Sequence, residues 1–220
     1  MAKIDPIRRA QIGLGRRAKT RSVLMQAARA LYSTPAIDAV TVDDVTLEAG
    51  VAKGTFYAHF RSLDDLRAAI AEELSEAFNA LVEPQQVAID DPLERIAAGC
   101  MAFIGQAVRE PAWGALTARG AWAFPGVAGA AREHLRENLR HAALQGRLAP
   151  LPAEVGFDIV MGIVLQAMRS ASESRLSASD VPLTVCGTLR ALGVSAGEAD
   201  RIVDRLPEPP PAPSSDLRSR

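Results

Sequence analysis

The sequence predicts an all-α protein, a small N-terminal three-helix domain joined to a larger helical domain. Three observations predict it. Apolar residues recur at spacings of three and four along nearly the whole chain. The breaks between these runs carry helix-start signals, as in Thr41-Val-Asp-Asp44 and Asp91-Pro-Leu-Glu94. No segment alternates with the period of two that a half-buried strand needs. At 220 residues, with 48% hydrophobic and 23% charged, the chain can bury a substantial core.

The elements follow in order. Between Arg16 and Ser33, the residues Leu24, Ala27, Ala28 and Leu31 form one apolar stripe. Thr41 caps a short helix that runs to Glu48, with Val42, Val45 and Leu47 as its apolar anchors. Gly50 suits the left-handed position that ends it, and a second short helix covers residues 52–58. Ser62-Leu-Asp-Asp65 opens a long helix through Leu66, Ile70, Leu74, Phe78 and Leu81, which Pro84 is expected to stop. Pro92 stands at the first helical position of the next, which carries Ile96, Cys100, Phe103, Ile104 and Val108 to near Pro111. A short segment around residues 113–121 is followed by a helix from beyond Pro125 to Gly146. Helices at 153–174 and 180–192 and a short one opened by Ser195 complete the set. The tail from Pro207 holds five prolines in seven residues and reads as disordered. Residues 1–62, 63–206 and 207–220 are thus the expected domains and tail.

Charge is unevenly placed. Residues 1–61 carry ten Lys or Arg against five Asp or Glu, and the remainder 15 against 21, beneath a net charge of -1. A basic N-terminal part suggests a polyanionic partner. Cys100 and Cys186 are too few and too far apart for a disulfide framework or a metal cluster. No run nears the roughly 18 apolar residues of a membrane span, and the basic N-terminus lacks a signal peptide's apolar stretch. A cytoplasmic chain with no membrane is expected. There is no Gly-x-Ser-x-Gly, phosphate loop or dinucleotide fingerprint, and the three histidines lack metal-ligand spacing, so neither catalytic residues, metal nor cofactor is expected.

The most informative stretch is Thr41 to Phe60, TVDDVTLEAGVAKGTFYAHF: helix, tight Gly-containing turn, helix. That arrangement can lay its second helix in a DNA major groove. Phe56 and Phe60, four apart, should face inward, leaving Lys53, Thr55, Tyr57 and His59 on other faces. Their ammonium, hydroxyl, phenol and imidazole groups suit phosphate oxygens and base edges. Gly54 allows close backbone approach, and Thr41, Val42, Ala52 and Arg61 complete the candidate DNA-binding set. The alternative is an ordinary solvated surface. The Arg/Lys group before Val23 is either an arm for phosphate or minor groove or a solvated helix start.

At these residues the sequence resembles the tetracycline-repressor (TetR) family. The resemblance rests on Thr41, Ala49-Gly50-Val51, Gly54-Thr55-Phe56-Tyr57 and His59-Phe60, within about Arg16 to Ile70. Where that family often has a Lys near the start of the next helix, this chain has Ser62-Leu63, with Arg61 just before. Beyond Ile70 the likeness is architectural. It implies a dimeric transcriptional regulator, a repressor released from a palindromic double-stranded operator by a small, mostly apolar effector. By the same resemblance, Phe78, Met101, Phe103, Trp113, Trp122, Phe124, His134 and Phe157 are candidates to surround the ligand, with plain core packing the alternative. Trp113 and Trp122 lie in a Gly/Pro-rich stretch. The resemblance also implies a homodimer through about 153–174 and 180–192. Val155, Ile159, Gly162, Ile163, Gln166 and Ser170 would face the partner, as would Val185, Leu189 and Leu192; a monomer core is the alternative.

Overall fold

The structure, a computed structural model, describes residues 6–34, 39–123 and 129–206, except for the side chains of 6–14, 85–86 and 121–123. These residues form helices and no strand: α1 Pro6–Tyr32, α2 Val42–Glu48, α3 Lys53–Tyr57, α4 Leu63–Ala88, α5 Pro92–Arg109, α6 Pro111–Ala123, α7 Gly129–Leu144, α8 Ala153–Ser172, α9 Asp180–Ala191 and α10 Ala196–Arg205. The Pro-rich tail lies outside the described residues.

Three boundaries differ from expectation. Helix α1 begins at Pro6, ten residues before Arg16, with proline in the first-turn position that it tolerates. Helix α4 does not stop at Pro84 but carries it inside and ends at Ala88. Proline deprives the Ala80 carbonyl of its helical donor. Ala80 and Pro84 are both exposed, so water can serve that oxygen. The segment around Trp113 is a full helix, α6.

The chain divides into two compact units, Met1–Ile70 and Ala71–Ser214. In the first, α1 packs on α2 and α2 on α3. Leu24, Ala28, Tyr32, Val45, Phe56, Leu66 and Ile70 are wholly buried. Leu47 is not the anchor expected of it. It is 83% exposed, because residues two apart on a helix cannot share the face that Val45 buries. Helix α2 ends in a Schellman turn: the Val51 amide donates to the Thr46 carbonyl (3.0 Å) and the Gly50 amide to that of Leu47 (3.1 Å). Gly50 sits at φ +64°.

In the second unit α5 is the hub, packed against α6, α7, α8, α9 and α10. Helix α6 lies close on both α5 and α8 because Gly114 has no side chain. A Cβ there would stand 2.7 Å from the Ala107 Cβ and 3.4 Å from the Met168 carbonyl oxygen. Helix α8 is the one helix, among the described residues, long and apolar enough to cross a membrane. Here it buries Phe157, Val160, Val164, Leu165 and Met168 in the core of this unit. Val185, Leu189 and Leu192, assigned from sequence to a face between protomers, are buried in that same core. Within α9 the exposed large apolar residue is Leu183.

One guanidinium joins three helix ends. Arg147, just past α7, pairs with Asp91, the N-cap of α5, and with Glu198 in the first turn of α10 at 2.7 Å. The other oxygen of Asp91 accepts the Leu93 and Glu94 amides at 2.8 and 3.0 Å. Burial works to raise the Asp91 pKa; the Arg147 guanidinium and these amides outweigh it and hold the carboxyl below its ordinary value.

Two substitutions test these constraints. Nothing lies within 4 Å of a Cβ at Gly50. Gly50→Ala therefore carries only the conformational cost of the left-handed region, and the first unit should lose about 1 kcal/mol in urea unfolding followed by circular dichroism. Gly114→Ala meets side-chain and backbone atoms that cannot swing away. It should lower stability by about 1–3 kcal/mol, read by Trp fluorescence during unfolding. An unchanged midpoint in the second variant would disprove the close approach of α6.

Candidate functional site

In the first unit the site is built on α2, its turn and α3. Thr41 and Asp44 form a capping box: the Asp44 amide donates to the Thr41 hydroxyl at 3.2 Å, and the Thr41 amide to the Asp44 carboxylate at 2.9 Å. The Thr41 hydroxyl also donates to that carboxylate at 2.6 Å. These donations, the hydroxyl's first, hold the Asp44 carboxyl below its ordinary pKa. Thr41 is exposed, but its hydroxyl proton is committed within the protein.

Helix α3 has five residues and no side-chain cap at its N-terminus. It is oriented by Phe56 and Phe60, fully buried with ring centroids 5.8 Å apart. The opposite face is thereby turned outward, with Tyr57 54% exposed edge-on to Phe56. Lys53, four residues earlier, is exposed too. Ala52 and Gly54 are exposed, while Val42, Thr55 and His59 are half-buried. Burial, then the nearby Arg17 and Arg21 charges, lower the His59 pKa. A neutral imidazole offers one donor and one acceptor.

Sequence reasoning missed how the charges here are engaged. Lys53 pairs with Asp43 of α2, Nζ to Oδ1 2.8 Å, and that partner raises its pKa. Arg17 donates to the Ala58 carbonyl at 3.2 Å, and Arg21 lies over the Phe60 ring at 5.0 Å. Two members of the N-terminal basic group therefore brace the end of α3, while Arg16 and Lys19 are exposed. Arg61, 91% exposed, reaches Asp65 at 3.4 Å. No sequence spacing announces a pair such as Asp43–Lys53, which the turn brings together.

The second unit holds a cavity of about 80 Å³. Phe78 and Val82 of α4, Ile96, Gly99, Cys100 and Phe103 of α5, and Thr117 of α6 line it. So do His134, Leu135 and Asn138 of α7, and Val160, Val164, Leu165 and Met168 of α8. Of the residues expected at a ligand, Phe78, Phe103 and His134 are in this lining. Trp113 stands behind it, edge-on to Phe78 at 5.8 Å, while Phe78 meets Phe103 edge-on at 5.2 Å. Met101 and Phe157 are not in the lining; Met101 packs on the core, and Phe157 is buried beneath the Arg136 guanidinium at 4.1 Å. Phe124 and the Trp122 side chain lie outside the described residues. Burial pushes the Cys100 thiol up to about 12, so it stays protonated and unreactive.

Comparison with known proteins bears on both units. Residues 24–70 match the family described as bacterial regulatory proteins, tetR family. No curated protein matches the chain. Among solved structures, RolR in complex with resorcinol is 25% identical over 89% of this chain and 99% of its own, with TM-score 0.62. A gamma-butyrolactone receptor, an ArpA-like protein, is 19% identical over 86% and 96%, TM-score 0.61. A TetR-family transcriptional regulator from Haemophilus influenzae RD is 16% identical over 80% and 97%, TM-score 0.59. The latter two speak to the fold alone. The helix-turn-helix lies inside the matched segment, so residues 24–70 match an N-terminal domain of the tetR family of bacterial regulatory proteins, and the all-helical architecture beyond it is shared with RolR.

Proposed function

We propose that the chain is a homodimeric repressor that reads a palindromic operator through α3 and leaves it when a small, mostly apolar effector enters the second unit. One observation carries the DNA-reading part: Lys53 and Tyr57 stand four apart on the outward face of a helix whose other face is locked by Phe56 and Phe60. Lys53, Gly54, Thr55, Tyr57 and His59 approach the major groove, with Thr41, Val42, Ala52 and Arg61 toward the flanking phosphates. Its place of action is the cytoplasm.

Dimerisation uses the outer faces of α8 and α9. Val155, Gly162, Gln166 and Leu183 are exposed there, with Ile159 and Ile163 half-buried. Pairing through these helices sets two α3 helices about one turn of DNA apart. The likeness to RolR, solved with resorcinol, supports a small-molecule effector. The cavity holds about 80 Å³. An apolar cavity of roughly 150 Å³ is enough for benzene. A ring-sized effector must therefore displace lining side chains, among them Phe78 and Val82 of α4, the helix that also carries Leu66 and Ile70 of the first unit. By linkage, an effector that weakens operator binding binds operator-bound protein more weakly by the same factor.

The experiment is operator binding by anisotropy as salt is varied. Tyr57→Ala and Lys53→Ala should each lose about 1–3 kcal/mol without unfolding, and Lys53→Ala should flatten the salt slope by about one phosphate. Unchanged affinity in both would remove α3 from the groove. Because Asp43 competes with phosphate for Lys53, Asp43→Asn should tighten binding two- to tenfold, about 0.4–1.4 kcal/mol. Weaker binding by that variant would mean that the pair positions α3 rather than restrains Lys53.

A further inference from the structure

Helical hydroxyls in this chain mostly donate to the carbonyl one turn back. Thr20, Ser75, Thr184 and Thr188 do so at 2.8–3.0 Å to Arg16, Ala71, Asp180 and Thr184. Thr117, in the middle of α6, does not. It is 2% exposed, and its hydroxyl has no hydrogen-bond partner among the described residues. A buried hydroxyl without a partner is costly and rare.

Its surroundings explain what it is for. Thr117 lines the cavity, one turn beyond the Gly114 contact that fixes α6 against α5 and α8. The cavity walls are mostly hydrocarbon and aromatic, from residues such as Phe78, Phe103, Leu135, Val160 and Met168. Of the other polar side chains of the lining, Arg95 donates to the Ile89 carbonyl, Arg132 and Asn138 have interactions of their own, and His134 stands on α7.

We propose that Thr117 is the specificity determinant of the cavity: its hydroxyl binds an oxygen of a small, otherwise apolar molecule, selecting hydroxyl- or carbonyl-bearing ligands over hydrocarbons of the same shape. The proposal rests on the cavity being the effector site. A site built to hydrogen-bond an oxygen rejects the analogue lacking it, since the protein group is then left unpaired in both states. Thr117, on α6, is not among the residues proposed for DNA binding or for dimerisation, so its role is separable from theirs.

Phenol and toluene serve as probes, alike in shape and differing in one hydroxyl against one methyl. Both are titrated calorimetrically into the full chain, as wild type, Thr117→Val and Thr117→Ser. Relative to wild type, the ratio of phenol to toluene affinity should fall about tenfold in Thr117→Val and be kept in Thr117→Ser. Thr117→Val should unfold at a temperature no lower than wild type, since it removes an unpaired polar group. If that variant fails to fold, Thr117→Ala gives the same comparison. An unchanged ratio while both probes bind overturns the role of Thr117 and leaves the cavity as the effector site. Failure of wild type to bind either probe overturns both readings.

Discussion

The burial of Phe56 and Phe60 is the interaction on which the DNA-binding end depends. An isolated helix of five residues is far too short to persist in water, and α3 lacks a capping side chain. Its shape and direction are therefore imposed by the two rings and by the Gly50 turn that delivers the chain to it. Arg17 at the Ala58 carbonyl and Arg21 over Phe60 brace the far end from α1. An outward polar row can be held steady only because the inward apolar pair is immovable. The outward polar face is a by-product of core packing.

Much of this was legible in the sequence because it is local. The capping box at Thr41, the proline at the start of α5 and the glycine after α2 each act within four residues, and periodicity identifies Val45, Phe56 and Phe60 as inward. Leu47 misleads for the same reason that Val45 is right, since a seven-residue helix has only one buried face. Proline rules predict a stop at Pro84, but they do not register that solvent can serve the freed carbonyl.

The cavity was far less legible. Its walls come from five helices spread from Phe78 to Met168, and periodicity says only that a residue faces inward, not that it borders empty space. Hence the sequence does not separate Phe157 and Met101, equally apolar and inward-looking, from Phe78 and Phe103. Thr117 gives no sequence signal, for a threonine in a helix ordinarily satisfies itself on the preceding turn. Val185, Leu189 and Leu192 show the same ambiguity on α9, where a stripe that could meet a partner instead meets α5 and the rest of the core.

The junction at Arg147 has a mechanical meaning for the second unit. With the end of α7 tied to the starts of α5 and α10, α7 is anchored at one extremity, while the residues it lends to the cavity, from Ala131 to Asn138, lie toward the other. A helix held that way behaves as a lever on a fixed fulcrum. Any displacement of the part of the cavity wall that α7 supplies would therefore be smallest toward Leu144 and grow toward Gly129.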